Sequence, residues 1–109
     1  MKKLIAAGTA SLVAAGVLAA PSLSASTKTV RVKDNVFAPT TLTVKRGTKV
    51  RWVWRGHNPH NVVVTKGPVK FKSKVQTSGS FSKRLTHKGT YRIICQIHRP
   101  GMKMTIRVR

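Results

Sequence analysis

The chain has 109 residues, enough for one domain, and carries 22 lysines and arginines against a single acid, for a formal charge of +21 at pH 7. Apolar residues alternate with the cations from Lys28 to Arg109, which excludes a disordered basic tail. A single cysteine excludes an intrachain disulfide, the usual staple of a small exported domain, and leaves a metal as the other common one.

Met1-Lys2-Lys3 is a short basic start. Leu4 to Ala20 is an uncharged run of 17 small and apolar residues, and Pro21 and Ser22 open a small polar stretch. This is the pattern of a secretory signal peptide over residues 1–25, with cleavage between 19 and 26. A transmembrane anchor fits less well, because the run is short, rich in Ala and Gly, and has no positive charge immediately after it. No cysteine ends the run, so no lipid anchor is expected there. The expectation is an exported, extracytoplasmic protein, in the periplasm, on the cell surface or secreted. Its domain spans 26–109, with no membrane span once the signal is removed. Losing Lys2 and Lys3 takes the charge from +21 to +19.

Beyond residue 25 no helical period appears, and short strands alternate with Gly, Pro, Asn and Ser. Thr29–Val32 is a first strand, turned by Asp34-Asn35. Leu42–Val44 is a second, followed by a turn at Lys45-Arg46-Gly47. Lys49–Trp54 puts Val50, Trp52 and Trp54 on one face and Arg51, Val53 and Arg55 on the other. Gly56–Pro59 is a loop, and Val62-Val63-Val64 suits a buried strand. Thr65–Ser80 reads as a long, polar, basic connection. Phe81–Leu85 is a strand, and His87-Lys88-Gly89 a turn. Thr90–Cys95 faces Tyr91, Ile93 and Cys95 one way. The last strand points Met102, Met104, Ile106 and Val108 inward. About seven such strands predict a small antiparallel or mixed β-sandwich.

Cys95 ends an inward-facing series, so its thiol is expected to be buried at one end of the sandwich. His98 follows in a loop made by Pro100 and Gly101, and Met102 returns the chain to the last strand. A thiolate, an imidazole and a thioether on one short loop form a soft donor set that suits copper. Blue-copper sites take two histidines and a cysteine, with a weak axial methionine. The second histidine must come from another strand end. His60, in Asn58-Pro59-His60-Asn61-Val62, is the candidate, and His57 competes from three residues away. Met104 lies close to Met102 and faces the same way.

Pro59-His60-Asn61-Val62 together with Cys95-x-x-His98-x-x-x-Met102 resembles the type 1 copper site of the plastocyanin/azurin-like cupredoxins. The frame is similar too. It reads Phe37-x-Pro39-x-x-Leu42-x-Val44-x-x-Gly47-x-x-Val50-x-Trp52, with Gly89-Thr90-Tyr91 before the cysteine. The likeness covers residues 30 to 108. It implies an all-β, Greek-key β-sandwich of seven or eight strands holding one copper ion. His60 and His98 would be the imidazole ligands, Cys95 the thiolate and Met102 the axial ligand. Met102-Lys-Met-Thr-Ile-Arg-Val lays onto a family pattern of Met-x-Gly-Lys-Val-x-Val, with Met104 in the glycine's place. The resemblance also gives Asn61 the task of tying the His60 loop to the Cys95 loop.

Taken alone, Cys95 is most simply a small buried hydrophobe, and the His98 and Met102 that follow argue against that. Met104 is read as core, and so are Trp52 and Trp54, which leaves no base-stacking platform and no expectation of specific nucleic-acid binding. His57 and His87 are read as solvated loop residues.

The expected function is a one-electron carrier cycling copper between Cu(I) and Cu(II), with His98 as the exposed edge that the resemblance implies. Arg99 and Lys103 flank that edge, so an acidic redox protein is the expected partner. The charge opposes self-association, and a monomer is expected. Two other readings use the same chain: copper sequestration or delivery outside the cytoplasm, and a cationic module bound to an anionic cell-surface polymer. An enzyme is not expected, since there is one acid, no second cysteine and no sign of further copper sites.

Overall fold

Alternation of β-branched or aromatic residues with Lys, Arg and Thr makes each segment of this chain one-sided, and two such surfaces close on each other. The computed structural model describes residues 26–109, which form eight strands and no helix. They are β1 (Thr27–Lys33), β2 (Val36–Ala38), β3 (Thr41–Val44), β4 (Thr48–Trp54), β5 (Val63–Lys66), β6 (Ser80–Leu85), β7 (Gly89–Ile94) and β8 (Lys103–Val108). One sheet has the order β2-β1-β4-β6 and the other β3-β8-β7-β5. The β1–β4 and β3–β8 pairs are parallel, and the remaining pairs are antiparallel.

The inner faces supply the core. Val30, Val32, Val50 and Trp52 of the first sheet meet Tyr91, Ile93 and Ile106 of the second, all without solvent exposure. Burying an aliphatic or aromatic side chain of this kind stabilises by about 1.5–3 kcal/mol. Burial raises the Tyr91 phenol above its ordinary pKa, and its hydroxyl donates to the His87 carbonyl at 3.1 Å.

The expected all-β sandwich is the one observed. Three details differ. β2 was not expected, because three residues beside Pro39 are too few to display a period. Val53, placed by alternation on the charged face, is only 8% exposed. It sits mid-sheet between Arg31 of β1 and Ser80 of β6, and neighbours cover it. The segment expected as an unpaired connection after Val64 is partly paired. β5 runs to Lys66, and the chain then returns along residues 60–64. Phe71 accepts from Val64 N at 3.0 Å, Val62 accepts from Ser73 N at 2.8 Å, and His60 and Gln76 exchange two backbone bonds of 3.0 Å. Phe71 packs its ring 6.0 Å from that of Trp52, so the basic connection is anchored by an aromatic.

The signal peptide expected over residues 1–25 lies outside the described residues. Among those described, no helix is long and apolar enough to cross a membrane.

Candidate metal centre

The Cys95 loop is built by strand alternation followed by two closures. Tyr91 and Ile93 point inward on β7, so Cys95, two residues further, does too, and it has no solvent exposure. The chain then leaves the sheet for Gln96 to Gly101. Cys95 N donates to the Met102 carbonyl at 3.0 Å, and Met102 N donates to the His98 carbonyl at 3.1 Å. These bonds clamp the loop at its base. His98 is held half-buried on its crest, and Met102, 1% exposed, is held at its inner end.

His60 arrives from the other side. Its backbone is fixed by the paired bonds to Gln76, and Trp54 Nε1 donates to its carbonyl at 3.3 Å. The imidazole is fully buried. Its Nδ1 lies 3.1 Å from His98 Nδ1 and 3.9 Å from Cys95 Sγ, and Cys95 Sγ lies 3.6 Å from His98 Nδ1.

This triangle can be tested against a metal. With bonds of about 2.1 Å to nitrogen and 2.3 Å to sulfur, as at zinc, a trigonal centre has edges of about 3.6 Å (N–N) and 3.8 Å (N–S). The observed edges of 3.1, 3.6 and 3.9 Å lie within about half an ångström of these. Two imidazoles and one thiol, without a carboxylate among them, are a borderline-to-soft set that suits copper or zinc over calcium or magnesium.

Three of the four residues expected as ligands are thus brought together. The fourth, Met102, closes the same loop in the core. The competing sulfur of Met104 is engaged elsewhere, since Trp52 Nε1 donates to it at 3.4 Å. His57 and His87 are exposed, as expected of loop histidines.

Two supports hold the loops in register. Asn61 Nδ2 donates to Gln96 Oε1 at 3.0 Å, and Gln96 N donates to Asn61 Oδ1 at 2.9 Å, joining the two donor loops as the resemblance implied. Asp34 was read only as a turn residue. Its Oδ1 accepts from Asn58 N at 2.8 Å and His57 N at 2.9 Å, and lies 3.2 Å from His60 Nε2. The Asn58 and His57 amides hold its carboxyl below the usual carboxylate range, against a smaller opposing effect of burial. The signal that could have found this contact is compositional: Asp34 is the chain's single acid.

Known proteins carry the same frame. Residues 25–109 match the family model described as copper binding proteins, plastocyanin/azurin family. A plastocyanin of Scenedesmus fuscus is 32% identical over 85 residues, covering 68% of this chain and 87% of that protein. Among solved structures, an oxidised methionine-to-leucine variant of amicyanin superposes with a TM-score of 0.68 at 27% identity, covering 75% of this chain and 81% of that one. A copper-containing nitrite reductase of Thermus scotoductus SA-01 superposes with a TM-score of 0.71 at 30% identity. It covers 84% of this chain, which spans only 24% of that enzyme. With its two-sheet frame, its His–Cys–His triangle and a family match over residues 25–109, this chain belongs to the plastocyanin/azurin family of copper binding proteins.

Proposed function

We propose that this chain is an exported type 1 copper protein that carries single electrons, with His60, Cys95 and His98 as the principal ligands and Met102 as the axial one. The observation that carries the reading is the triangle of two Nδ1 atoms and one Sγ, its edges 3.1–3.9 Å, at the closed end of a rigid sandwich. Copper held there would supply a one-electron couple.

The chain's own residues supply the rest. Cys95 and His60 have no solvent exposure, so the thiolate and the inner imidazole are shielded from bulk water. The clamped Cys95 loop and the Asn61–Gln96 bonds fix the donors, so their positions need change little between oxidation states. His98, half-buried on the crest, brings its ring toward the surface, where Ile97, Arg99 and Lys103 are exposed. That surface suits a small, transient contact with an acidic redox protein. Residues 1–25 would direct export, and the strong positive charge of the domain would keep it monomeric. The reading is of a carrier, without enzymatic turnover. Burial of both His60 and Cys95 also favours a carrier over sequestration or delivery, which needs a route for metal exchange.

The test is spectroscopic. Purified domain receives one equivalent of Cu(II), and its visible spectrum is recorded beside that of a Cys95→Ala variant. The expected result is an intense blue thiolate-to-copper band that the variant lacks. A colourless wild-type product overturns the proposal.

A further inference from the structure

We propose that Asp34 is a positioning residue for the copper site: its carboxylate fixes the tautomer and direction of His60 and holds the site's reduction potential down. The inference rests on His60 being a ligand.

Asp34 is the single acid in a chain with 22 lysines and arginines, yet the ion pair it makes among the described residues is with His60. The contact is built rather than incidental. Asp34 sits at the end of the β1 strand's turn, beside Asn35, whose φ of 67° lies in the left-handed region. From there one carboxylate reaches under the loop that carries His60. Oδ1 accepts from the amides of His57 and Asn58, and Oδ2 accepts from His57 N at 3.1 Å. The floor above the carboxylate is Gly56. A Cβ at that position would run into Asp34 Oδ1 well inside van der Waals contact, so the close approach depends on glycine.

The chemistry follows from the donor inventory. An ionised carboxylate only accepts, so the 3.2 Å contact requires the proton of the imidazole to sit on Nε2. Nδ1 is then the bare nitrogen, and it is Nδ1 that faces Cys95 and His98. A negative charge behind the ring also makes Nδ1 a stronger donor, which favours the more highly charged metal state. Cu(II) gains more than Cu(I), and the potential falls. The three carboxylate-to-amide bonds hold residues 57–58, and with them the loop that carries the ring.

Asp34→Asn keeps the shape and one acceptor while removing the charge. In the copper-loaded protein it should cost about tenfold more affinity for Cu(II) than for Cu(I), within the range of 10–100-fold seen for outer-sphere changes. Tenfold in a one-electron couple raises the potential by about 59 mV, read by voltammetry. Gly56→Ala keeps the charge but forces the carboxylate off the ring, and should shift the potential in the same direction, by less. In the copper-free wild type, nitrogen NMR should find His60 protonated at Nε2 with a slowly exchanging proton, and Asp34→Asn should exchange it faster. If Asp34→Asn does not fold, Gly56→Ala and the wild-type tautomer decide. A blue wild type whose variants keep its potential, or a His60 protonated at Nδ1, overturns this inference alone. A wild type with no blue band overturns the copper reading and this inference with it.

Discussion

Asn61 and Gln96 exchange two hydrogen bonds, Nδ2 to Oε1 at 3.0 Å and backbone N to Oδ1 at 2.9 Å, across 35 residues of sequence. One residue follows His60 directly, and the other follows Cys95 directly. The pair therefore sets the distance between an imidazole and a thiol that arrive from different parts of the fold. Asn61 is 2% exposed, whereas Gln96 is exposed, so the two ends are not equivalent. Asn61→Ala should lower domain stability by about 1–2 kcal/mol, the sum expected for two ordinary bonds. Gln96→Ala should cost less, because the backbone bond to Asn61 survives. Urea titrations of the copper-free variants check the ranking, and an equal loss in both would contradict it.

Two buried methionines lie close in sequence to Cys95, and their surroundings differ. Met104 Sδ accepts from the Trp52 indole at 3.4 Å, in the core between the sheets. Met102 closes the Cys95 loop through its backbone and is 1% exposed. Leucine replaces methionine with little change of volume. Met102→Leu should keep the fold, alter the blue spectrum and raise the reduction potential, since it removes a weak donor to the oxidised metal. Met104→Leu should leave spectrum and potential in place but cost about 1–3 kcal/mol, because the buried indole N–H loses its acceptor. Spectra, voltammetry and melts on the two variants give opposite patterns. If Met104→Leu moves the spectrum instead, the axial assignment is reversed.

What the sequence made legible, and what it hid, follows from range. Strands with a clear period of two were readable: the alternation in Lys49–Trp54 and Thr90–Cys95 placed Trp52, Tyr91, Ile93 and Cys95 inside, where they are. The Cys95 loop was readable because its donors lie within eight residues. Contacts across the fold were not. Nothing local says that β1 runs parallel beside β4, and that pairing is what brings the Asp34 turn to the loop before His60. Asp34 was therefore legible only as a turn residue. Phe71 to Gln76 looked like connection because Lys and Ser mask the apolar pattern, although the segment pairs with residues 60–64. Val53 shows the converse: its side was right, but mid-sheet neighbours buried it.

Metal should stabilise this small domain. A ligand that binds only the folded state adds about 2.7 kcal/mol at a free concentration one hundred times its Kd. For a domain of this size each kcal/mol moves Tm by roughly 4–8 °C, so copper should raise it by roughly 10–20 °C. Cys95→Ser removes the soft donor while adding only a small polar atom, and should melt close to the copper-free wild type whether or not copper is present. Calorimetry with and without copper measures both. An equal rise in Cys95→Ser would place the stabilising metal away from Cys95.

Exposed Arg99 follows His98 on its loop and exposed Lys103 opens β8 just after it, on a chain whose one acid is occupied at the base of the His60 loop. No carboxylate side chain is left to screen this face. Steering by such a surface accelerates association with an oppositely charged protein by roughly 10- to 1,000-fold at low salt. At about 1 M salt the Debye length falls to about 3 Å, and most of that gain should vanish. Stopped-flow electron transfer to an acidic redox protein should therefore slow steeply with ionic strength, while transfer to a neutral small-molecule oxidant should not. The double variant Arg99→Glu and Lys103→Glu should flatten the salt dependence toward the acidic protein and leave the blue spectrum unchanged, because neither side chain supplies a donor. If the variant keeps the wild-type salt slope, docking occurs on another part of the basic surface, such as the outer face of the β7–β8 pair where Arg92 and Arg107 are exposed.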